Sequence, residues 1–258
     1  MKMKEVICDT NIWYGIGKGD INPEDLKDVR LIATYVNFLE IGSSYHIIKN
    51  LEFTQAACQA IKNHSSKAII LSPIHYIKSL DDSCFDYPHC GENEPYDQVN
   101  KIASCDTSLL KKSLSSNYCK IKNQVEDFKN PAVQAAKALN EVAQDIQNEN
   151  SSKKEHRKKS HIESIKDIIS NQSYKSLGSE ISEDFDWGQI DCLLNLIDSY
   201  LKEIEVSGRQ FRPNDWMDLF QFAYVNPERQ IWTKERKWNQ YLRENDMKDH
   251  IFEPSKQN

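Results

Sequence analysis

Five acidic residues of this 258-residue chain stand where acids could work together. Asp9 follows a short apolar run, Val6-Ile7-Cys8, and Glu40 follows a second run rich in β-branched and aromatic residues. Glu235 follows a third, Arg229 to Thr233, and Asp215 and Asp218 come just before that run. Those two aspartates are one helical turn apart and so share a face. Carboxylates gathered in one place raise each other's pKa unless cations neutralise them. All-oxygen donors suit Mg²⁺ and Mn²⁺, and two such ions roughly 4 Å apart can clamp the attacking and leaving oxygens of a displacement at phosphorus. The chemistry these residue types point to is phosphoryl chemistry without a covalent intermediate.

A plainer explanation competes at each acid. The chain has 39 acids, so some cap helices by chance. Asp215, beside Pro213 and Asn214, is explained by the dipole and open N–H groups of a helix start. Asp9 and Glu40, flanked by apolar residues, need another reason. Further constellations are weaker. Cys84, His89 and Cys90 invite a zinc reading, but the spacing fits no common zinc module and a fourth ligand is missing. The eight glycines form neither GxxxxGK[ST] nor GxGxxG. The run containing Lys153, Lys154, Arg157, Lys158 and Lys159 reads as a solvated helix face or, more sharply, as a nucleic-acid-binding arm that contacts phosphates. Trp13, Trp216, Trp232 and Trp238 read as core or groove walls, with room for one of them to stack a base.

The elements that must position these residues follow from periodicity. Val6 to Cys8 and Arg30 to Val36 read as buried strands, and Lys67 to Leu71 as strand or buried helix. Phe38, Ile41, Tyr45, Ile48 and Leu51 recur at helical steps and predict one helix from Asn37. Residues 81 to 98 read as a long irregular loop, with 86 to 97 as its most mobile part. Helical patterns follow over 131–148, 156–170 and 187–206. A helix from Pro213, the strand Arg229 to Thr233, a helix over 235–245 and a weak edge strand at His250 to Glu253 close the chain. Strands alternating with helices imply a parallel sheet whose ligand site lies at the carboxyl strand ends.

Composition sets outer limits. Hydrophobic residues at 39% and charged residues at 28% are those of a globular domain with a real core. No run approaches the roughly 20 apolar residues that span a bilayer, and the start lacks a secretory apolar segment, which places the chain in the cytoplasm, away from membranes. Seven scattered cysteines without CxxC spacing fit reduced thiols. A net charge of −6 argues against sequence-blind binding to long nucleic acid, although local basic patches can still grip phosphates.

The order Asp9-Thr10-Asn11 after an N-terminal strand, then Phe38-Leu39-Glu40 after a second, resembles the opening of PIN-domain nucleases. Asn214-Asp215-Trp216-Met217-Asp218-Leu219 and Ile231-Trp232-Thr233-Lys234-Glu235 resemble that family's third acid and closing Thr-x-acid element. The match covers roughly the first seventy and last fifty residues. It implies an α/β, RNase-H-like three-layer sandwich around a small, mostly parallel sheet, split into segments 1–80 and 207–258 by a mostly helical insertion at 81–206. It also implies Mg²⁺- or Mn²⁺-dependent hydrolysis of RNA by an endoribonuclease. Carried over, Asp9, Glu40, Asp218 and Glu235 form the catalytic and metal-ligand set, with Asp215 a neighbour or the true third acid. Asn11 and Thr233 orient ligands or the attacking water. Two features depart from the family pattern: the last acid is Glu rather than Asp, and the span between Glu40 and Asp215 is long. The rival reading is a PIN-like binding or scaffold protein without catalysis, whose insertion engages a partner. A homodimer or an antitoxin-like protein partner is compatible with either.

Overall fold

A computed structural model describes residues 3–26, 28–43, 50–82, 93–116, 160–208 and 212–254, with isolated helical positions at 137, 140, 141 and 144. Four strands, β1 (Lys4–Cys8), β2 (Val29–Thr34), β3 (Lys67–Ile69) and β4 (Arg229–Trp232), form one sheet in the order β3-β2-β1-β4. Every pairing between them is parallel. Ten helices accompany these strands among the described residues. They are α1 (Thr10–Lys18), α2 (Tyr35–Ser43), α3 (Leu51–His64), α4 (Pro73–Asp81), α5 (Asn93–Ser104), α6 (Thr107–Ser116), α7 (Ile162–Leu177), α8 (Asp191–Ser207), α9 (Pro213–Phe220) and α10 (Arg236–Glu244). The fold is α/β.

Strand alternation sends successive side chains to opposite faces, and each face buries its own core. Val6, Cys8, Leu31, Ala33 and Trp232 pack with Ile12 and Trp13 of α1, Phe38 and Ile41 of α2, Ile61 of α3, and Val99 and Ile102 of α5. Ile7, Ile32, Ile69 and Ile231 pack with Ile77 of α4, Ile165 of α7, Leu193 and Ile197 of α8, Leu219 of α9 and Trp238 of α10. Helices thus cover both faces, and the described parts of 81–206 that reach the sheet do so as helices. None of the described helices is long and apolar enough to cross a membrane.

Several elements differ from the sequence expectation. The second strand stops at Thr34, because Asn37 Oδ1 accepts from the Thr34 backbone N–H at 2.8 Å and starts α2 at Tyr35. Leu51 opens α3 rather than ending the helix from Asn37, so that apolar stripe belongs to two helices. Of the loop expected over 81–98, with 86–97 as its most mobile part, residues 83–92 lie outside the described residues, and 93–98 belong to α5 instead. Its Pro95 falls in the first turn, where the missing N–H costs nothing, and Val99, Ile102 and Ala103 give it a buried face. Lys67–Ile69 resolves as a short edge strand. The helix expected over 156–170 runs from Ile162 to Leu177. Residues 131–148 lie almost wholly outside the described residues, as do Cys84, His89 and Cys90 and the basic run from Lys153 to Lys159. The closing edge strand reduces to one parallel bridge, Ile231 to Ile251, with Phe252 N–H donating to Ile231 O at 2.8 Å.

Candidate functional site

β1 lies inside the sheet, with β2 and β3 on one side and β4 on the other. The strand order reverses between β1 and β4, the kind of place where open parallel sheets bind ligands at their carboxyl ends. Cys8 pairs with Trp232, so Asp9 and Thr233 leave the sheet side by side. Asp9 N–H donates to Trp232 O at 2.9 Å, and buried Gln221 holds the Cys8 carbonyl at 2.8 Å. The end of β1 is fixed from both sides.

Asp9 caps α1, with Oδ1 accepting from Thr10 N–H at 2.7 Å and Oδ2 from the Thr233 hydroxyl at 2.8 Å. The same Thr233 hydroxyl accepts from Glu235 N–H at 3.0 Å, which ties the Thr-x-Glu turn together. Asn11 Nδ2 bridges Asp9 Oδ2, at 3.5 Å, and Glu235 Oε1, at 3.2 Å. Thr10 donates its hydroxyl to Glu40 Oε2 and accepts from Asn37 Nδ2 at 3.2 Å. Asp218 accepts from the Trp238 indole N–H at 3.2 Å. Thus β1, α1, α2, α9 and the start of α10 each contribute a polar group to one end of the sheet.

Burial raises the Asp9 carboxyl above its ordinary range, opposed by the donors Thr233, Thr10 and Asn11 and reinforced by the charge of Glu235. Glu40 is pushed up to about 7, first by burial and then by Asp9, Asp218 and Glu235. Asp218 rises to about 6, again first by burial, with Asp9 and Glu235 adding and the Trp238 hydrogen bond and Lys237 charge opposing. The four acids therefore feel one another's charge. Among the described residues no three His, Cys, Asp or Glu side chains stand close enough together to hold an ion as they are placed, and no Lys, Arg or His forms an ion pair with these four. Their partners are neutral donors that hold each carboxylate apart from the next. With three acids half-buried and Glu235 exposed, all-oxygen, mutually repelling and without an ion-pair partner, this donor set fits a hard divalent cation by its chemistry.

Asp215 is held differently. The Lys237 amine pairs with its Oδ1, and Arg212 N–H donates to its Oδ2 at 3.0 Å. Burial works against the charged form, yet Lys237 and the Tyr200 hydroxyl prevail and keep this carboxyl below its usual range. The one-turn offset between Asp215 and Asp218 sends one acid to a lysine and the other toward Asp9 and Glu235. Sequence reading singled out Asp9, Asn11, Glu40, Asp218, Thr233 and Glu235, and the structure brings these to one place. It gave no role of their own to Thr10, Asn37, Gln221 and Lys237, and read Trp238 only as core or groove wall. Thr10 carried a local signal, a hydroxyl on the first turn after Asp9; the others act across contacts remote in sequence.

Comparison with protein families, curated proteins and solved structures finds no match to this chain.

Proposed function

We propose that the chain is a metal-dependent ribonuclease of PIN-like type, hydrolysing phosphodiester bonds of RNA at the carboxyl ends of β1 and β4. The observation that carries this reading is the gathering of half-buried Asp9, Glu40 and Asp218 and exposed Glu235 at the switch point, all partnered by neutral donors. These four residues would hold Mg²⁺ or Mn²⁺. When bound, such an ion supplies charge stabilisation to the phosphoryl group and lowers the pKa of water. The chain's own residues do the positioning. Thr233 and the Thr10 N–H fix the two Asp9 oxygens, Thr10 orients Glu40, Asn11 links Asp9 to Glu235, and Trp238 aims Asp218. Resemblance of Asp9-Thr10-Asn11 and Thr233-Lys234-Glu235 to the PIN-domain motifs supports the same reading.

The test is cleavage of a diverse single-stranded RNA pool in Mn²⁺. Wild type cleaves and EDTA abolishes the activity. Asp9→Asn lowers the rate at least about a hundredfold, because a neutral amide holds a divalent cation poorly. Equal cleavage by wild type and Asp9→Asn would mark the activity as contamination and leave the scaffold reading in its place.

A further inference from the structure

One face of α1 leads away from the carboxylates and carries a different set of groups. Asn11, Gly15 and Lys18 follow one another at helical spacing of four and three residues, so they line up along the helix. Asn11 touches Asp9 and Glu235. One turn on, the exposed Lys234 amine lies over Gly15, where an added Cβ would stand 3.5 Å from it and 2.7 Å from Ile21 Cδ1. A further turn on, the exposed Lys18 amine sits 4.9 Å from the centre of the Phe53 ring. Phe53 is a large apolar side chain of α3 that is 51% exposed. It is brought there by close helix packing, since a Cβ on Gly17 would lie 2.6 Å from the Ala56 backbone carbon.

Lys18 and Lys234 differ from Lys78, Lys202 and Lys237, each of which pairs with an aspartate. Among the described residues neither Lys18 nor Lys234 has a carboxylate partner within ion-pair distance. Two cations without a carboxylate partner, set about 4.5 Å apart along the helix axis beside an exposed aromatic ring, are the parts of a single-stranded nucleic-acid track. Such a track needs positive groups spaced along a backbone and a π-face on which a base can stack regardless of sequence.

We infer that single-stranded RNA leaves the carboxylate site along this face of α1, with Lys234 and Lys18 on successive phosphates and Phe53 under a base. This rests on the nuclease reading for the position of the scissile bond, but not for binding itself. The test is titration of the full chain with a short fluorescent oligouridylate in Ca²⁺. Lys18→Gln with Lys234→Gln should bind about tenfold more weakly and flatten the salt slope by about 1.4, two contacts at roughly 0.7 each. Phe53→Ala should cost about tenfold with the slope unchanged. Lys175→Gln, on α7, should bind as wild type. No binding by wild type, equal binding by all variants, or equal competition by duplex RNA overturns the track. Cleavage in Mn²⁺ is scored separately. Loss of binding in the variants with no cleavage by wild type keeps the track and removes the nuclease reading, whereas Asp9-dependent cleavage with unaltered binding does the reverse.

Discussion

Two groups of acids in this molecule are drawn out of solvent, one fully and one by about half, and held in opposite ways. On the α7–α8 side, Glu205 faces His161 at 2.9 Å with both side chains at most 2% exposed, and Asp198 pairs with Lys202 at 2.6 Å while accepting from His161 N–H at 2.6 Å. Asp81 likewise pairs with Lys78 at 2.6 Å, and Asp215 with Lys237. At the end of β1, Asp9, Glu40 and Asp218 have hydroxyl, amide and indole donors instead. Glu205, Asp198, Asp81 and Asp215 each have a basic partner. The acids at the switch point are oriented but not neutralised, an arrangement that costs stability unless a cation comes from outside.

The comparison breaks first at its structural half. Glu205→Ala leaves a buried imidazole without its carboxylate and should cost about 3–5 kcal/mol in urea unfolding. It should leave Mn²⁺ affinity unchanged by calorimetry. A loss of metal binding at constant fold would mean that the two groups are not separate.

The second prediction concerns the unneutralised half. Glu40 at about 7 and Asp218 at about 6 bind protons in the folded chain that the unfolded chain releases near its ordinary values. Their contribution to stability is therefore full below about pH 4 and is lost as pH rises through 6 to 7. Without metal the loss is on the order of 3 kcal/mol, a fall of several degrees in Tm between pH 5 and 8. Mn²⁺ should flatten the fall, and Glu40→Gln should reduce it in EDTA. A metal-free Tm that rises over this window in wild type, and equally in Glu40→Gln, would show that these carboxyls are not strained.

Much of this contrast was legible in sequence. Val6-Ile7-Cys8 and Ile231-Trp232 announce buried strands, and the acids that follow them within one to three residues stand out against that apolar setting. The α/β class and the parallel sheet follow from the alternation of elements. The helix boundaries were not legible, because the stripe from Phe38 to Leu51 keeps its period across the α2–α3 junction. Asp, Pro and Tyr before Val99 hid α5 in the same way, by looking like a turn. At the site, the acids declare themselves by charge in an apolar setting, whereas their donors do not. Trp238 reads as core and is core, 2% exposed, yet its indole N–H holds Asp218. That a side chain has two jobs is a property of the folded neighbourhood, and no local pattern encodes it.

The smallest expected effect is the sharpest discriminator, because Asp215 and Asp218 share a helix, a residue type and a face and differ only in partner. Asp215→Asn removes the charge that holds Lys237, but the amine keeps the Tyr200 hydroxyl at 3.0 Å and the Tyr200 and Trp238 rings at 4.1 and 4.2 Å. The pair is partly exposed, so its loss should cost about 1 kcal/mol or less. Metal affinity and cleavage should stay within about threefold of wild type. Asp218→Asn removes a carboxylate from the four-acid group and should lower Mn²⁺ affinity about tenfold or more, while Tm in EDTA at pH 8 rises because one repelling charge is gone. The two variants, run side by side by calorimetry and thermal melting, should therefore move in opposite directions on stability and differ on metal. If Asp215→Asn loses metal as severely as Asp218→Asn, the Lys237 pair is not a structural lock, and Asp215 belongs with the site.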